Sequence, residues 1–427
     1  MRTTDSVGNW KHLRYLEISR ACPLKRIPST FCWLYNMQIL YVKKCKIQSL
    51  PADFDKLTSL QKFESSGLTI DAANQRAQGI RSIKHLNQIR EYLVIHNLCI
   101  LSKDQAAEAE LKNKKCLDRL ILNMRVAFRS ADFYIHNNDT EVLEGLQPPT
   151  SLKGLYVKNY VGVSLPSWFQ PQNLPSLTSL NFDGFVAMKS ISFPMTSQSM
   201  NLNEIHEIGT FLSLTNITIE KCENLSSLED FLQPSYVPGI KRISISNCKM
   251  LESIPGEVFG DFHLLEELQI VDCPNIGPQR LVSPSLKKLN LWRSSLFCNI
   301  DCCSLVSFDF QCAFVTSIQL HTWSLPAVRR LEIWGKSLTS IGGSPNLSIS
   351  TGTSNIRAFS SLTFLKVTSC DKLSTLDGIL TQEYLPAIEN IKIKYCPELL
   401  SLPGERFGSF HHLEYLEVLN CPSLSWR

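Results

Sequence analysis

A nine-residue spacing of aliphatic residues recurs along this chain and limits its possible folds more than any other feature. Residues 37–51 read Met-x-x-Leu-x-Val-x-x-Cys-x-Ile-x-x-Leu-Pro. Further copies, each reaching a cysteine eight residues later, start at Leu214, Ile240, Leu265, Leu362, Ile388 and Leu413. Weaker copies without the cysteine start at Leu152, Leu286, Leu305 and Val328.

The central alternation of this spacing predicts one short strand per copy, with its apolar side chains all on one face. A single such strand cannot bury that face, so successive copies must stack and pair in parallel. The spacing therefore predicts an α/β leucine-rich-repeat solenoid. We expect a curved horseshoe with the parallel sheet on its concave face, and mostly irregular turns with a few short helices on its convex side.

The sequence predicts a single repeat domain over residues 1–427, with no independent linker. Within it, residues 211–276 align without a gap with residues 359–424, and 29 of the 66 positions are identical. These two segments are interpreted as duplicated repeat blocks.

An irregular unit at about 83–122 interrupts the array. It contains the most helix-like segment, predicted over 105–117 with Glu108–Lys112 and Glu110–Lys114 as i,i+4 ion pairs. The Ser/Gly/Thr-rich residues 342–355 are predicted to form an exposed loop.

Composition and cysteine placement exclude several function classes. A net charge of +4 over 427 residues gives no basic block of the kind that nucleic-acid partners require. Seven cysteines occupy the fixed repeat position, and none shows paired zinc spacing, so we expect reduced, buried thiols and no metal site. The first residues carry no apolar stretch and no run could span a membrane, so we expect neither a secretory signal nor a membrane span.

Motifs for catalysis or nucleotide binding are not supported by the sequence. Gly335-Lys336-Ser337 lacks the glycine five residues earlier that a phosphate loop needs, because Arg330 stands there inside a repeat strand. Serines and histidines occur, but no serine lies in the Gly-x-Ser-x-Gly motif of hydrolases. We therefore expect no enzyme activity, no catalytic residues and no cofactor in this chain.

More specific segments carry a resemblance to a known family. They are residues 83–120, read as strand, helix and strand, then Glu141 to Pro149, and then Leu165-Pro166-Ser167-Trp168. With the repeats, they resemble the leucine-rich-repeat domain of plant coiled-coil nucleotide-binding immune receptors of the RGA-like cereal type. The resemblance covers nearly the whole chain.

The resemblance implies that the domain recognises a pathogen effector or a modified host protein. It also implies a cytoplasmic or nucleo-cytoplasmic location and restraint of a nucleotide-binding (NB-ARC) module, in cis or in trans, that alone would hold ADP or ATP. That module is missing from the sequence, so a fragment or truncated product is expected. Two alternatives stay open: an F-box-type substrate adaptor, and a nonfunctional receptor relic.

The repeat register predicts which side chains leave the core and line the concave face. Aromatic and arginine side chains are favoured at the energetic centres of protein interfaces. We expect Arg293 and Arg330, beside Trp292 and Trp334, to bind a partner's carboxylate. The predicted protein-binding set is Tyr41, Lys43, Tyr156, Lys241, Glu266, Lys287, Trp292, Arg293, Arg330, Trp334, Phe364, Lys366, Lys392, Tyr395, Tyr415 and Glu417.

Overall fold

The computed structural model describes residues 7–18, 25–47, 50–51, 53–72, 78–125, 138–192, 209–277, 279–294, 297, 299–312, 315–342 and 359–426. They form two compact units, Met1–Leu225 and Ser226–Arg427. The single domain expected over 1–427 stays a prediction. The loop expected at 342–355 lies outside the described residues apart from its first residue, and the side chain of Lys43 lies outside them too.

Parallel strands, each paired with the strand of the next repeat, form the sheet of the N-terminal unit. The strands in order are β1 (Tyr15–Ile18), β2 (Ile39–Ile47), β3 (Lys62–Asp71), β4 (Tyr92–His96), β5 (Arg119–Asn123), β6 (Gly154–Lys158), β7 (Ser179–Asp183) and β8 (Asn216–Glu220). The β2–β3 register shifts between Val42 and Lys46, so this pair departs from the regular repeat.

The C-terminal unit has a main parallel sheet and three small ones on its outer turns. The main sheet runs in order β9 (Arg242–Ser246), β10 (Glu267–Val271), β12 (Lys288–Trp292), β14 (Ser307–Cys312), β17 (Arg330–Gly335), β19 (Phe364–Thr368), β20 (Asn390–Lys394) and β22 (Tyr415–Leu419). The small sheets pair β11 (Arg280–Val282), β13 (Asn299–Asp301) and β16 (Trp323–Ser324); β15 (Ser317–Ile318) and β18 (Ser340–Ile341); and β21 (Ser401–Leu402) and β23 (Ser425–Trp426).

The outer side carries short helices and turns, as the spacing predicts. The α-helices are α1 (Gln78–Arg81), α2 (Lys103–Ala107), α3 (Asp139–Glu144) and α4 (Gly404–Phe407). The 3-10 helices include Val7–Asn9, Ser29–Trp33, Phe54–Lys56, Leu98–Ile100, Leu111–Asn113, Val258–Asp261 and Leu320–Thr322.

Burial alternates along the strands with period two, and this alternation places the core. In β10, Leu268 and Ile270 are fully buried while Glu267, Gln269 and Val271 are half-buried on the other face. The same pattern recurs in the neighbouring strands. Each buried aliphatic side chain contributes roughly 1.5–3 kcal/mol, so stability accumulates repeat by repeat.

The repeat cysteine closes the turn at the end of each strand. The residue before it is left-handed, as at Asn247 (φ 56°) and Asp272 (φ 54°), which bends the chain away from the sheet. The Sγ of Cys248 then donates to the carbonyl of Ser246, at 3.4 Å. Ser294 takes the same role in a repeat without cysteine, donating to the Trp292 carbonyl at 2.9 Å. A small donor is therefore what this position requires.

The helix predicted over 105–117 is wrong in extent. Helix α2 starts at a capping box between Ser102 and Gln105 and ends at Ala107. Glu110 is left-handed (φ 46°), which no α-helix tolerates, and a 3-10 turn follows. The expected i,i+4 pairs are absent from these described residues: Glu110 pairs with Lys84 at 3.3 Å, and Glu108 with Arg81.

Lys114, expected on a solvated helix face, lies inside the protein. Its side chain is fully buried, and its Nζ donates to the Ile83 carbonyl at 2.6 Å. Burial lowers the pKa of this ammonium to about 8. The Ile83 carbonyl, in the loop before β4, thus takes the place of water as the hydrogen-bond acceptor for this lysine.

The segments that carry the family resemblance contact each other in the fold. The indole nitrogen of Trp168 donates to the carbonyl of Leu143 in α3, at 2.7 Å, and Ser167 Oγ donates to Glu144 at 2.7 Å. A side chain at Gly145 would collide with the carbonyl of Lys103, so glycine allows α3 to approach α2 closely. The two motifs therefore form one packing unit.

A buried ion pair ties the end of β5 to the start of α3. Arg125 and Asp139 are 7% and 1% exposed and pair through two hydrogen bonds of 2.7 and 3.0 Å. Asp139 also accepts from the backbone N–H of Val161 at 2.9 Å, and Arg125 donates to the Asn159 carbonyl at 3.2 Å. The pair thus has the additional hydrogen bonds that a buried charge needs.

Candidate protein-binding face

The outward side chains of the main sheet in the C-terminal unit form one continuous surface, called here the strand face. It consists of the first, third and fifth residue of each strand, which alternate with the buried positions. The predicted residues on this face are Trp292, Arg330, Trp334, Phe364, Lys366, Lys392, Tyr415 and Glu417. The structure therefore brings half of the predicted set together.

Two predicted residues occupy equivalent outward positions in the N-terminal unit. Tyr41 lies in β2, where its ring packs edge-on against Tyr15 at 5.7 Å and Lys62 Nζ lies 5.1 Å from its centre. Tyr156 lies half-buried in β6. They belong to the sheet of the other unit and not to the strand face.

Five predicted residues do not lie on outward strand positions, which corrects the register expected for them. Lys241, Glu266 and Lys287 lie in the turns just before their strands, where their carbonyls accept bonds from the next repeat. Arg293 (φ 48°) and Tyr395 (φ 53°) follow their strands in the left-handed conformation. The chain turns at these positions, so their side chains lie at the ends of the sheet.

Two tryptophans of the strand face form an aromatic contact. The rings of Trp292 and Trp334 are 6.2 Å apart at 40°, although they stand on β12 and β17 with β14 between them. Gln311 of β14 pairs in register with both residues. Trp292 is 40% exposed, whereas Trp334 is half-buried. The pair offers apolar area at a central position of the face.

The arginines expected to bind a partner's carboxylate already have partners. Arg293 Nε lies 2.8 Å from Asp272. Arg330 pairs with Glu332, and its guanidinium lies 4.4 Å from the ring centre of Phe364. Asp272 and the ring of Phe364 come from neighbouring repeats, and Glu332 comes from the same strand as Arg330. Binding of a partner's carboxylate by the two arginines stays a prediction.

Lysines on the strand face are held over aromatic rings and beside acids. Lys366 Nζ lies 5.1 Å from the ring centre of Trp334 and 3.0 Å from Glu332. Lys392 lies 5.2 Å from the ring centre of Tyr415 and 3.6 Å from Glu417. Burial opposes the ionisation of Glu332, but its contacts with Lys366 and Arg330 lower its pKa. The pKa of Glu417 is lowered mainly by its hydrogen bond with Lys394 and less by Lys392. The ammonium groups are thus already oriented, which reduces the entropy lost on binding.

Three polar residues of the strand face were not among the predicted binding residues, because they are neither aromatic nor basic. Asn290 and Asp309 are register neighbours on β12 and β14, and Gln311 follows on β14. The side-chain oxygens Asn290 Oδ1 and Gln311 Oε1 are buried and have no hydrogen-bond partner among the described residues. Burial, and then the charge of Glu332, raise the pKa of Asp309. Their outward positions follow from the strand register, which could have identified them from the sequence.

The described part of the chain lacks two further features. It contains no group of three or more His, Cys, Asp or Glu side chains arranged to hold a metal ion. Within the same ranges, no helix is both long enough and apolar enough to cross a membrane.

The duplicated blocks differ most on their outward strand positions. The six inward strand positions are aliphatic in both blocks, and all are buried except Leu416 and Val418 of the last strand, which are half-buried. None of the nine outward positions is identical, although 29 of the 66 positions are. The first block carries Asn216, Thr218, Glu220, Arg242, Ser244, Ser246, Glu267, Gln269 and Val271. The second carries Phe364, Lys366, Thr368, Asn390, Lys392, Lys394, Tyr415, Glu417 and Leu419.

The strand register, the buried aliphatic ladder and the repeat cysteine together define a leucine-rich-repeat protein. Comparison with known sequences shows which proteins the chain is similar to. Residues 80–222 match the R13L1/DRL21 leucine-rich repeats, a segment that includes both motifs described above. This part of the chain is similar to the leucine-rich repeats of that family, and the curated relatives are plant disease-resistance proteins, in agreement with the resemblance.

Two Arabidopsis thaliana relatives illustrate the similarity. Disease resistance RPP13-like protein 4 is 24% identical over 278 residues, covering 60% of this chain and 30% of the relative. Disease resistance protein RPP4 is 24% identical over 267 residues, covering 60% of this chain and 22% of the relative. The chain thus spans less than a third of either relative. A leucine-rich-repeat protein of Leptospira interrogans aligns structurally over 98% of this chain and 93% of its own, at 18% identity and TM-score 0.46.

Proposed function

We propose that this chain is the recognition domain of an intracellular plant immune receptor, acting in the cytoplasm or in both cytoplasm and nucleus. Its strand face binds a pathogen effector or a host protein that an effector has altered. In the absence of that partner, the domain restrains a nucleotide-binding switch module, in cis or in trans. Binding shifts the population between two docked arrangements and releases the switch.

The difference between the duplicated blocks carries this proposal. Both copies keep aliphatic side chains at the buried strand positions, so both still stack as repeats. Only the second copy combines aromatic and basic side chains at the outward positions, as Phe364, Lys366, Lys392 and Tyr415 show. A change of surface chemistry over an unchanged core is what a change of binding partner requires.

Replacement of Trp334 by alanine tests the proposal. Truncating a central interface aromatic typically costs 2 kcal/mol or more, on the order of thirtyfold in affinity. We expect Trp334→Ala to lose, by that factor, the partner that co-purifies with the wild-type chain from infected leaf tissue. Its circular dichroism and melting temperature should stay close to those of the wild type, because the side chain is on the outward face.

Glu405→Ala is the matched control, since Glu405 is an exposed residue of helix α4 on the outer side. It should retain the partner. Equal losses in both variants would contradict recognition by the strand face. A co-purified partner that neither derives from the pathogen nor is altered by it would contradict the immune role.

A second prediction concerns nucleotide. The sequence lacks a phosphate loop, so we expect no ADP or ATP binding by this chain alone. Isothermal titration calorimetry with each nucleotide and Mg²⁺ checks this. Binding in the micromolar range would contradict the assignment of nucleotide chemistry to a separate module.

A further inference from the structure

Positive charge on the strand face is concentrated on its last three strands, β19, β20 and β22. On the five strands of the main sheet before them, three basic and three acidic outward side chains balance: Arg242, Lys288 and Arg330, with Glu267, Asp309 and Glu332. The last three strands carry three outward lysines and one acid: Lys366, Lys392 and Lys394, with Glu417. This end of the face therefore has an excess of two positive charges.

Strand pairing holds the three lysines close together. Lys366 and Lys392 are register neighbours on β19 and β20, which as paired strands lie about 4.8 Å apart, and Lys394 stands two residues further along β20 on the same face. Glu417 lies 2.7 Å from Lys394 and 3.6 Å from Lys392, so one carboxylate serves two ammonium groups. Like charges at opposite strand positions destabilise a sheet. A carboxylate supplied by a partner would relieve that repulsion.

The lysines are accessible and lie beside aromatic rings. Their side chains are between 23% and 31% exposed, and Tyr415 is 46% exposed. Lys392 Nζ lies 5.2 Å from the ring centre of Tyr415 and 5.8 Å from that of Phe364. A partner can therefore contact positive charge and apolar area at the same place, and the confined lysines lose less entropy when it binds.

The first duplicated block indicates that the fold does not require these lysines. The equivalent outward positions of that block carry neutral residues: Thr218, Ser244 and Ser246. The charged outward residues of the same block leave an excess of one negative charge instead: Glu220, Arg242 and Glu267. The inward positions are aliphatic in both blocks, so the reversal of charge serves the surface and not the core.

We infer that Lys366, Lys392 and Lys394 bind an acidic segment of the protein partner. Side chains at alternate residues of an extended chain lie about 6.6 Å apart on one face, which is also the spacing of Lys392 and Lys394 along β20. Carboxylates at alternate residues therefore match them, and such complementary charge favours specific and rapid association. A nucleic acid would need a continuous basic track, which the balanced charge of the other strands does not offer. The inference rests on the proposed function and specifies the chemistry of the partner.

The test uses synthetic peptides on the full chain. We expect acetyl-Glu-Gly-Glu-Gly-Glu-amide to bind in ligand-observed NMR titrations, and its glutamine analogue to bind on the order of tenfold more weakly, because hydrogen bonds between charged groups are stronger. Lys392→Ser combined with Lys394→Ser introduces the residues that the first block carries at these positions, and should remove the preference. Added salt should weaken binding of the glutamate peptide to the wild-type chain, since ions screen exposed charges.

Lys287→Ser combined with Lys288→Ser is the matched control. These lysines also pair with acids, Glu266 at 2.8 Å and Glu267 at 2.9 Å, but they lie outside the last three strands. The control loses the same net charge and should keep the preference for glutamate. Circular dichroism of both double variants should match that of the wild type, because none of the four side chains is buried.

Four outcomes would overturn the inference. The glutamine peptide could bind as well as the glutamate peptide, the preference could survive in the Lys392→Ser and Lys394→Ser variant, or the control could lose it equally. An oligothymidylate of equal net charge could also bind more tightly than the glutamate peptide, which would indicate a nucleic acid. Since the probes are synthetic, these outcomes are independent of which protein co-purifies from leaf tissue, so the proposed function is judged separately.

Discussion

Asp139→Ala should lower the free energy of unfolding by about 3–5 kcal/mol. The change leaves the guanidinium of Arg125, whose side chain is only 7% exposed, without its counter-ion. It also removes the acceptor of the Val161 backbone N–H. Urea denaturation followed by circular dichroism measures the loss.

The exposed pair Lys153–Asp118 provides the control for this prediction. Its atoms are 2.8 Å apart, but its side chains are 62% and 44% exposed. Water screens such a pair, so Asp118→Ala should cost less than about 1 kcal/mol. Similar losses for the two aspartates would mean that the Arg125–Asp139 pair is accessible to water in solution. Replacing both members of the buried pair by Met and Leu should recover part of the loss.

Leu268→Ala is expected to cost about 2–5 kcal/mol, by removing buried methyl groups and leaving a cavity. Leu268 is fully buried in β10, between Ile243 of β9 and Leu289 of β12. Gln269 is the matched control, because it is the next residue of the strand and points outward. Gln269→Ala should change stability by less than about 0.5 kcal/mol. The same denaturation experiment measures both, and a reversed order would show that the β10 register is wrong.

These two predictions depend on different kinds of information. The buried position of Leu268 follows from the repeat spacing, because period-two alternation assigns every second strand residue to the core. The pairing of Arg125 with Asp139 does not follow from any spacing. Nothing in the sequence distinguishes this arginine from those of the surface, and its partner lies 14 residues further along the chain.

On the strand face, too, some positions follow from the repeat spacing and others do not. The spacing identified Trp292, Trp334 and Phe364 as outward residues, since they follow or precede apolar strand positions directly. It misplaced Arg293 and Tyr395, because the left-handed turn before the cysteine position ends the alternation one residue earlier than assumed. Binding by these residues stays a prediction, whereas their positions in the sheet are now established.

Charge was the property that the sequence predicted least well. Arg330 looked available to a partner's carboxylate, yet Glu332 and the ring of Phe364 hold it. Asp309 was not among the predicted residues, yet it is a carboxylate of the strand face that forms no ion pair with a cation among the described residues. Lys114 was expected to pair with Glu110 on a helix, but its side chain is buried. The ring of Phe364 and the Ile83 carbonyl belong to segments some thirty residues away in sequence, and no local spacing reveals such contacts.

The sequence by itself determined the repeat, the parallel strands, the aliphatic core and the position of the cysteine, because these depend on local spacing that every repeat satisfies alone. Only the tertiary structure decided which charges are neutralised, where helix α2 ends and which acceptors are left without donors. Stacking brings residues of different repeats within about 5 Å of each other. Hydrogen bonds and ion pairs act at that range, and they are therefore decided by neighbours in space.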